Sequence, residues 1–320
     1  MSLLAVTDLS IDYAQLGGAT RAVTSASFSM GTGSSIGLVG ESGSGKTTLA
    51  LSLLGLLPAN GRVASGEIHY ADESVSQYSE TQWRRLRWTK AALVFQGGMN
   101  ALNPVRRIVD QIVEPMLVHG TETTKQAATQ RAIELLARVG IPASRARDFP
   151  HEYSGGMRQR AGIAMALACK PQLLIADEPA TAIDVVVQAQ IIRLLAELRE
   201  SLGLALLIIT HDLGVVAQLC DDVIVMYASE IVESASVRGI FHNPKHPYTK
   251  QLLESVPRFS GMRGVGAGIS GQPPSLTNPP TGCRFHPRCP SVFSPCATEH
   301  PPASRLADKH VVACHLYGHD

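Results

Sequence analysis

An eight-residue segment, Gly40-Glu41-Ser42-Gly43-Ser44-Gly45-Lys46-Thr47, constrains the fold of this chain more than any other feature. It matches the pattern G-x-x-x-x-G-K-[ST], follows a short apolar run and opens a helix-like segment. Glycines let backbone N–H groups close around phosphate oxygens, and the N-terminus of a helix favours anions. Lys46 would reach the β- and γ-phosphates of a nucleotide, and the Thr47 hydroxyl would bind Mg²⁺. The alternative is a glycine-rich strand–helix turn without a ligand, but the flanking strand and helix favour a phosphate site.

Strand-like and helix-like segments alternate over about the first 255 residues. Short apolar runs predict strands and longer amphipathic segments predict helices. Such alternation favours a parallel sheet covered by helices, which is an α/β fold. The mostly helical stretch from about residue 97 to 165 is predicted to be a subdomain inserted into that fold. The predicted strands are Ala26–Met30, Ser35–Val39, Ala91–Phe95, Leu173–Ala176, Leu204–Ile209 and Val223–Met226, and the predicted helices are Lys46–Leu57, Arg107–Val118, Lys125–Val139, Ser154–Ala168 and Val185–Leu202.

The composition excludes several classes of protein. The chain has 320 residues, of which 45% are hydrophobic, and this excludes a disordered or collagen-like protein. A formal net charge of +1 gives no electrostatic footprint for general nucleic-acid binding. The first residues lack a basic segment and a long apolar core, and no uninterrupted apolar run reaches about 18 residues. We therefore expect neither a signal peptide nor a membrane span, and we expect the chain to stay in the cytoplasm.

A pair of acidic residues lies about 130 residues after the phosphate motif. The apolar run Leu173-Leu174-Ile175-Ala176 ends in Asp177 and Glu178. A magnesium–nucleotide site requires such acids, with Asp177 holding the metal shell and Glu178 polarising the attacking water. On its own a strand that ends in two acids is usually a solvated strand end. Its combination with the phosphate motif favours nucleotide hydrolysis.

The segment Tyr153-Ser154-Gly155-Gly156-Met157-Arg158-Gln159-Arg160 resembles the signature sequence of ABC transporters, LSGGQ followed by Q-R. Further elements of that family appear in the expected order: Gln96 as the Q-loop glutamine, Asp184 as the D-loop aspartate and His211 as the switch histidine. Tyr13 lies where the family places the aromatic residue that stacks on adenine. The resemblance spans nearly the whole chain and implies a P-loop NTPase fold of the ABC nucleotide-binding type, with ATP and Mg²⁺ as its ligands.

The resemblance also implies a role for each matching residue. Glu178, His211 and Gln96 would be catalytic, with Gln96 also sensing the membrane partner. The residues implied to bind the nucleotide are Tyr13, Gly40, Ser42, Gly43, Ser44, Gly45, Lys46, Thr47, Thr48, Gln96, Ser154, Gly155, Gly156, Asp177 and Asp184, and those implied to hold Mg²⁺ are Thr47, Gln96 and Asp177. In the family's head-to-tail dimer, residues 154–156 bind the γ-phosphate of a nucleotide held by the partner chain. The alternative for Ser154 is a helix N-cap without a ligand.

A narrower resemblance concerns oligopeptide and dipeptide importers. The segments Phe95–Pro104 and Phe241–Thr249, together with Ile112-Val113-Glu114, are typical of their ATP-binding subunits. The chain departs from the usual pattern at Gly97-Gly98, at Ala180 and Ile183, and at Ser229, where glycine is usual; none of these changes removes a catalytic group.

This resemblance implies an ATPase subunit that energises peptide uptake. It would lie on the cytoplasmic face of the membrane, with a second ABC ATPase, two separate permease subunits and an extracytoplasmic peptide-binding protein as partners. Nickel import is one alternative, and a soluble ABC ATPase that acts on ribosomes or DNA is another. A single cassette, the lack of a heptad array and a near-neutral charge disfavour the soluble ATPase.

The composition changes after residue 255. Twelve of the 19 prolines lie in residues 241–320, and glycines cluster between Gly261 and Gly271. We therefore divide the chain into a nucleotide-binding domain, residues 1–255, and a linker with a C-terminal metal-binding extension, residues 256–320. The extension is predicted to be loop-rich, not to continue the sheet, and to need a cross-link. On this view, substitution of any one of the four cysteines in the extension loosens the residues after Gly271 and leaves nucleotide binding by residues 1–255 largely intact.

Four cysteines in the extension, Cys283, Cys289, Cys296 and Cys314, suggest that cross-link. Four thiols in a reducing compartment indicate a metal, and tetrathiolate suits zinc or an iron–sulfur cluster. The spacing lacks the C-x2-C pairs usual for zinc and resembles the [4Fe-4S] motif of the importer subfamily. Zinc stays an alternative, including mixed ligation with His286, His300 or His315, and so do free or disulfide-linked thiols. Cys169 and Cys220 lie in or near apolar helices and are expected to be buried hydrophobic residues.

Overall fold

The computed structural model describes residues 2–95, 101–181, 184–255, 269–306 and 309–317. The strands, in chain order, are β1 (Ser2–Gln15), β2 (Gly18–Gly31), β3 (Ser35–Val39), β4 (Gly61–Tyr70), β5 (Glu73–Ser74), β6 (Ala91–Val94), β7 (Leu173–Asp177), β8 (Ala205–Ile209), β9 (Asp222–Tyr227), β10 (Glu230–Ser236), β11 (Ala303–Arg305) and β12 (Val311–Ala313). The helices are α1 (Lys46–Ser52), α2 (Glu80–Leu86), α3 (Ile108–Val118), α4 (Lys125–Arg138), α5 (Gly155–Ala166), α6 (Val185–Leu202), α7 (Leu213–Leu219), α8 (Val237–His242) and α9 (Pro247–Glu254).

The chain divides into two units, each with its own internal packing. The first unit comprises Met1–Leu3, Met30–Ser35 and Gln77–Ile209, and the second comprises Leu4–Ser29, Ile36–Ser76 and Thr210–Asp320. The phosphate motif and the C-terminal extension therefore belong to the second unit. The signature segment and the two strand-end acids belong to the first.

The first unit is built on the parallel strands β6, β7 and β8. Leu174 in β7 pairs with Ala92 on one side and with Leu206 on the other. Every residue of β7 and β8 is buried, which explains why their sequences are continuous apolar runs rather than alternating ones. The predicted parallel strands are thus confirmed here, and β7 ends at Asp177.

Helices α3, α4 and α5 of the first unit pack on one another, as the helical stretch of the sequence predicts. Helix α6 has the predicted bounds because both of its ends carry clear signals. Asp184 caps its N-terminus through a hydrogen bond from the Val187 N–H, and Gly203, with φ 62°, ends it in the left-handed conformation. Its buried face, with Ile191, Leu194, Leu195 and Leu198, follows helical spacing.

The second unit contains two groups of strands. One is a sheet with the order β2-β1-β4-β5, in which β1 and β5 are both antiparallel to β4. In the other, β3 is parallel to β9, β9 is antiparallel to β10, and the order continues through β12 to β11. Strand β3 leads directly into the phosphate motif and α1, so a buried strand positions that loop.

Two sequence-based expectations were wrong. The extension does continue a sheet, because Val312 of β12 pairs with Glu233 of β10 and is fully buried. Strands of three residues are too short for an alternating pattern to be recognised. The helix after the phosphate motif ends at Ser52, six residues before Pro58, because tight turns through Gly55, with φ 60°, follow it. Within the described residues, no helix is both long and apolar enough to cross a membrane.

Candidate functional site

The phosphate loop, residues 40–47, approaches neighbouring backbone so closely that two of its glycines cannot be replaced without movement. A Cβ on Gly40 would lie 2.1 Å from the Met226 carbonyl oxygen, and one on Gly45 would lie 2.2 Å from the Ala22 carbonyl oxygen. Both glycines also have positive φ angles, 149° and 103°. The predicted strand–loop–helix context of the motif is therefore present in the second unit.

Lys46 closes the phosphate loop from inside. Its Nζ donates hydrogen bonds of 2.8 Å to the carbonyl oxygens of Gly40 and Glu41, and it lies 3.3 Å from Ser44 Oγ. The side chain is buried, while Ser42, Gly43 and Thr47 are exposed. The ammonium group is thus held at the centre of a loop whose outer face is open to a ligand.

Tyr13, the predicted adenine-stacking residue, lies beside the first turn of α1. Its hydroxyl is 3.2 Å from the Thr48 hydroxyl, and a Cβ on Gly61 would lie 2.8 Å from its ring. The structure therefore brings together Tyr13 and Thr48, two residues that the resemblance implies for nucleotide binding, and packs the ring of Tyr13 against Gly61.

The two acids at the end of β7 differ in their surroundings. Asp177 is buried, whereas Glu178 is partly exposed and has a left-handed backbone conformation with φ 49°. Its N–H donates to the Ile209 carbonyl oxygen at 2.8 Å, and its Oε2 accepts a hydrogen bond from the Thr181 hydroxyl at 2.5 Å. Such a conformation is unfavourable for glutamate and is typical of functional sites. The carboxylate is oriented by its own loop.

Thr181, which contacts Glu178, is a candidate site residue that the sequence analysis does not single out. It lies between Glu178 and Asp184, the residue that matches the D-loop aspartate. A hydroxyl residue three positions after a strand-end glutamate can reach back to that carboxylate in a tight turn, and this spacing was the available signal.

Ser154 of the signature segment is a helix N-cap, which was the alternative interpretation of this residue, and its side chain is exposed. Ser154 caps α5, with its Oγ accepting from the Met157 N–H at 3.3 Å. Gly156 is buried, and a Cβ there would lie 2.4 Å from Val187 Cγ1 on α6. The start of α5 therefore packs closely on the start of α6, the helix that Asp184 caps, and presents its first N–H groups near an exposed hydroxyl.

The structure gives fewer contacts for the other predicted catalytic residues. His211 is exposed, two residues after the end of β8, and Asp212 beside it caps α7 by accepting from the Gly214 N–H at 2.8 Å. Gln96, with Gly97 and Gly98, lies outside the described residues, as does Ile183. The catalytic and ligand roles of all these residues stay predictions.

The four cysteines of the extension line one cavity, which we call the thiol cavity. Its wall includes Cys283, Cys289, Cys296, Cys314, His246, His286 and His315. The four are free thiols, as are Cys169 and Cys220, both of which are buried as predicted. His300 is instead paired with Glu230 at 3.0 Å. Burial raises the pKa of Cys283 to about 11 and also raises the pKa values of Cys289 and Cys314, and neighbouring thiols raise them further.

One nitrogen on the wall of the thiol cavity has no partner. His246 is buried, its Nδ1 accepts from the Tyr248 N–H at 3.0 Å, and its Nε2 has no hydrogen-bond partner within the described residues. Among those same residues, however, no three His, Cys, Asp or Glu side chains are placed as the ligands of a metal ion. The expected metal site is therefore not confirmed.

Comparisons with known proteins agree with these observations. Residues 23–181 match the ABC transporter family, and residues 232–296 match the oligopeptide/dipeptide transporter C-terminal region. The chain is 45% identical to a probable peptide ABC transporter ATP-binding protein, y4tR, of Sinorhizobium fredii, over 98% of this chain and 94% of the relative. It is 44% identical to the dipeptide transport ATP-binding protein DppD of Escherichia coli, over 98% and 97%. It is 42% identical to the oligopeptide transport ATP-binding protein OppD of the same organism, over 98% and 93%.

Solved structures with the same fold include a dimeric ATP-binding cassette in a post-hydrolysis state bound to ADP and Pi. That cassette has a TM-score of 0.67 and 24% identity, covering 74% of this chain and 99% of its own. CbiO1 of Clostridium perfringens, part of an ABC transporter complex, has a TM-score of 0.66 and 26% identity, covering 76% and 91%. The fold is that of an ABC nucleotide-binding cassette. The chain therefore belongs to the ABC transporter ATPases and, within them, to the ATP-binding proteins that carry the oligopeptide/dipeptide transporter C-terminal region.

Proposed function

We propose that this chain is the ATP-binding and ATP-hydrolysing subunit of an ABC importer that takes up dipeptides or oligopeptides. The observation that carries the ATPase part is the phosphate loop with Lys46 held inside it. The cargo is supported by the names of relatives that match 98% of the chain. Uptake across the cytoplasmic membrane would pass through separate permease subunits.

The residues present fit a magnesium–nucleotide complex. Thr47 is exposed at the start of α1, and Asp177 ends β7 as a buried carboxylate, so both supply the oxygen ligands that Mg²⁺ prefers; Gln96 would be the third ligand. When bound, Mg²⁺ neutralises charge that develops on the phosphates. In this proposal Lys46 would contact the phosphates and Tyr13 would pack on adenine. Glu178 would orient and polarise the attacking water with the help of His211.

Hydrolysis requires a second cassette in this proposal. Ser154 is exposed at the N-terminus of α5, where N–H groups and a hydroxyl suit the γ-phosphate of a nucleotide on another chain. Asp184, at the start of α6, would contact the same shared site. ATP would thus close two cassettes around two nucleotides, and hydrolysis would reopen them. The partner is a second copy or a homologous ATPase.

Purification from membranes tests the proposed partners. We expect the tagged full-length chain to be recovered with two permease subunits and a peptide-binding protein, on the cytoplasmic face of the membrane. Recovery with ribosomes or DNA would support the soluble-ATPase alternative instead. In proteoliposomes that hold the complex with its ATPase subunits facing the lumen, a radiolabelled dipeptide should accumulate in the lumen when ATP is enclosed there. It should not accumulate when the complex contains the Glu178→Gln chain. Uptake of Ni²⁺ but not of peptides would show that the cargo is nickel rather than a peptide.

Association in solution tests the shared site. MgATP should drive the chain, or the chain with its homologous partner, into dimers, and Ser154→Ala should weaken this association. A strictly monomeric chain that hydrolyses ATP at the rate of the full complex would exclude the shared site.

We further propose that the thiol cavity holds a [4Fe-4S] cluster. The four cysteines line the same cavity as His246, whose Nε2 has no hydrogen-bond partner among the described residues. Burial raises the pKa values of Cys283, Cys289 and Cys314, which disfavours their thiolate forms, and a metal centre offsets that penalty. When bound, the cluster would supply a cross-link between the loops that carry the four cysteines.

The sequence spacing of the four cysteines supports a cluster over zinc, because it lacks the C-x2-C pairs that are usual for structural zinc. Anaerobic purification should give a brown protein that absorbs near ~400 nm, with about four irons per chain. A colourless protein with one zinc would change the assignment, and a metal-free protein with an ordered extension would exclude both metals.

A further inference from the structure

Arg288 of the C-terminal extension forms a bidentate ion pair with Glu41 of the phosphate loop. Its Nη1 lies 2.7 Å from Glu41 Oε2, and its Nη2 lies 3.1 Å from Oε1. The Arg288 side chain is only 6% exposed. Shielded bidentate pairs are stronger and more directional than exposed ion pairs. The extension is thereby fixed to the second residue of the phosphate loop.

The guanidinium of Arg288 is held from several sides. Its Nε donates to the Ser270 carbonyl oxygen at 2.9 Å, its Nη2 donates to that of Gly271 at 3.1 Å, and its Nη1 donates to the Tyr227 hydroxyl at 3.2 Å. The guanidinium carbon also lies 5.7 Å from the centre of the Tyr227 ring. These contacts leave the side chain little freedom, so the position of Glu41 follows that of the extension.

The backbone of Glu41 is held as well. Its N–H donates to the Tyr248 hydroxyl at 2.9 Å. Tyr248 packs on Phe285, with ring centres 5.4 Å apart, and Phe285 lies in the same loop as Arg288, between Cys283 and Cys289. Both aromatic side chains are almost fully buried. The side chain and the main chain of Glu41 therefore depend on the loop between Cys283 and Cys289, which we call the cysteine loop.

A second arginine of the cysteine loop, Arg284, supports a turn next to the phosphate loop. Arg284 donates to the Ala228 carbonyl oxygen and to the Ser229 hydroxyl, and its Nε lies 2.8 Å from Glu230 Oε1. Ala228 and Ser229 form a two-residue turn between β9 and β10 with φ angles of 45° and 74°. Such turns favour asparagine and glycine, so this turn needs external support.

The turn that Arg284 supports contacts the phosphate loop directly. The Ser229 N–H donates to the Ser44 carbonyl oxygen at 3.0 Å, and the Ser229 hydroxyl lies 3.0 Å from that of Thr24. The serine that replaces the family's usual glycine here therefore gains two side-chain partners. Arg284 thus acts on Ser44 through the turn, as Arg288 acts on Glu41 directly.

We propose that the cysteine loop braces the phosphate loop through Arg284 and Arg288, so that ATP affinity depends on the C-terminal extension. A site held in its binding conformation before the ligand arrives loses less free energy on ordering. Arg284 and Arg288 are positioning residues, because they act through Ser44 and Glu41. The inference rests on ATP binding at the phosphate loop. It contradicts the expectation that changes in the extension leave nucleotide binding intact.

Equilibrium binding of ATP to the full-length chain tests the brace. We expect Arg288→Met to bind ATP about fivefold more weakly than the wild type, the scale of coupling between groups in direct contact. Arg305→Met is the matched control, because Arg305 is exposed on β11 of the same extension; it should bind as the wild type does. Arg288→Lys keeps the positive charge and should recover part of the affinity. Equal affinity in Arg288→Met and the wild type would overturn the inference.

A double-mutant cycle tests whether the ion pair between Arg288 and Glu41 links the extension to ATP binding. Glu41→Gln leaves the extension intact and should weaken ATP binding to a similar degree, and adding Arg288→Met to it should cause little further loss. If the two losses instead multiply, or if Glu41→Gln binds like the wild type, the ion pair is not the brace. If Arg288→Met disturbs folding of the extension, Arg288→Lys takes its place in the cycle, because lysine keeps the positive charge but not the bidentate geometry.

Lys46→Ala separates this inference from the proposed function. If Lys46→Ala and the wild type bind ATP equally, the phosphate loop is not the nucleotide site and the proposed function fails. If Lys46→Ala loses binding while Arg288→Met keeps it, the proposed function stands and the brace is wrong.

Discussion

The Thr181 hydroxyl donates a hydrogen bond of 2.5 Å to Oε2 of Glu178, while the backbone of Glu178 is held in a left-handed conformation. The strand end, the turn and the hydroxyl together fix the direction of one carboxylate. A carboxylate that is held in one direction suits a general base.

Replacing Glu178 with glutamine should separate ATP binding from hydrolysis. Glu178→Gln keeps the shape of the side chain but cannot take up a proton, so we expect ATP binding to persist and turnover to fall on the order of 10²-fold or more. ATP should then hold the closed dimer. Steady-state hydrolysis by the reconstituted complex and chromatography with MgATP measure the two effects. A wild-type rate would exclude the proposed role.

Replacing Thr181 should change the rate of hydrolysis more than the affinity for ATP. Thr181→Val is nearly isosteric and removes the hydrogen bond to Glu178, so kcat should fall about fivefold, equivalent to about 1 kcal/mol. Thr181→Ser restores the hydroxyl and should recover most of the rate. If KM for ATP rises while kcat stays constant, or if serine and valine behave alike, Thr181 does not orient Glu178.

The sequence predicted the parts of the fold that rest on local patterns. Strand β3 and helix α6 have their predicted bounds, because one is a continuous apolar run and the other carries a cap at each end. The phosphate loop was predicted for a similar reason, since its glycines, Lys46 and Thr47 follow a fixed spacing dictated by phosphate geometry.

Contacts between distant segments could not be predicted in this way. Arg288 and Glu41 are separated by 247 positions, and neither lies in a periodic pattern that would indicate a partner. The extension was expected to be independent because prolines and glycines separate it from the preceding residues. Packing of Phe285 and pairing of β12 with β10 instead integrate it into the second unit. The intrinsic preference of a residue for helix, strand or turn describes its local conformation and does not indicate its tertiary contacts.

Acid should weaken the pairing of β1 with β2 beside Tyr13. The hydrogen bond from Arg21, at 2.7 Å, and the charges of Arg21 and Arg62 hold the pKa of Asp12 below its usual value. A carboxyl group whose pKa is lower in the folded state stabilises the fold above its unfolded pKa and loses this contribution as pH falls through the folded one. Since Arg21 is half exposed, the contribution at pH 7 should be only about 0.5–1 kcal/mol.

Comparison of Asp12→Asn with the wild type measures that contribution. The free energy of unfolding should be lower for the variant at pH 7. The difference should shrink as the pH falls below the ordinary carboxyl pKa of about 4, and it should vanish below the lowered pKa of Asp12, where that side chain is neutral in the folded state. Asp72→Asn, on an exposed turn, serves as the control. A difference that is constant between pH 7 and pH 3 would show that the charge of Asp12 is not its cause.

Loss of one cysteine in the extension should weaken the binding of ATP. Cys289 lies next to Arg288, and the Cys283 N–H donates to the Cys296 carbonyl oxygen at 2.8 Å, so the thiol cavity and both arginines share one loop. Cys289→Ser should reduce the iron content of the anaerobically purified protein. It should also weaken ATP binding about threefold, because the cysteine loop then holds Glu41 and the Ala228–Ser229 turn less firmly. Cys169→Ser, a buried thiol of the first unit, should keep both the iron and the affinity. If Cys289→Ser loses its iron but binds ATP as tightly as the wild type, the thiol cavity and the phosphate loop are independent, and only the two arginines remain as the link between them.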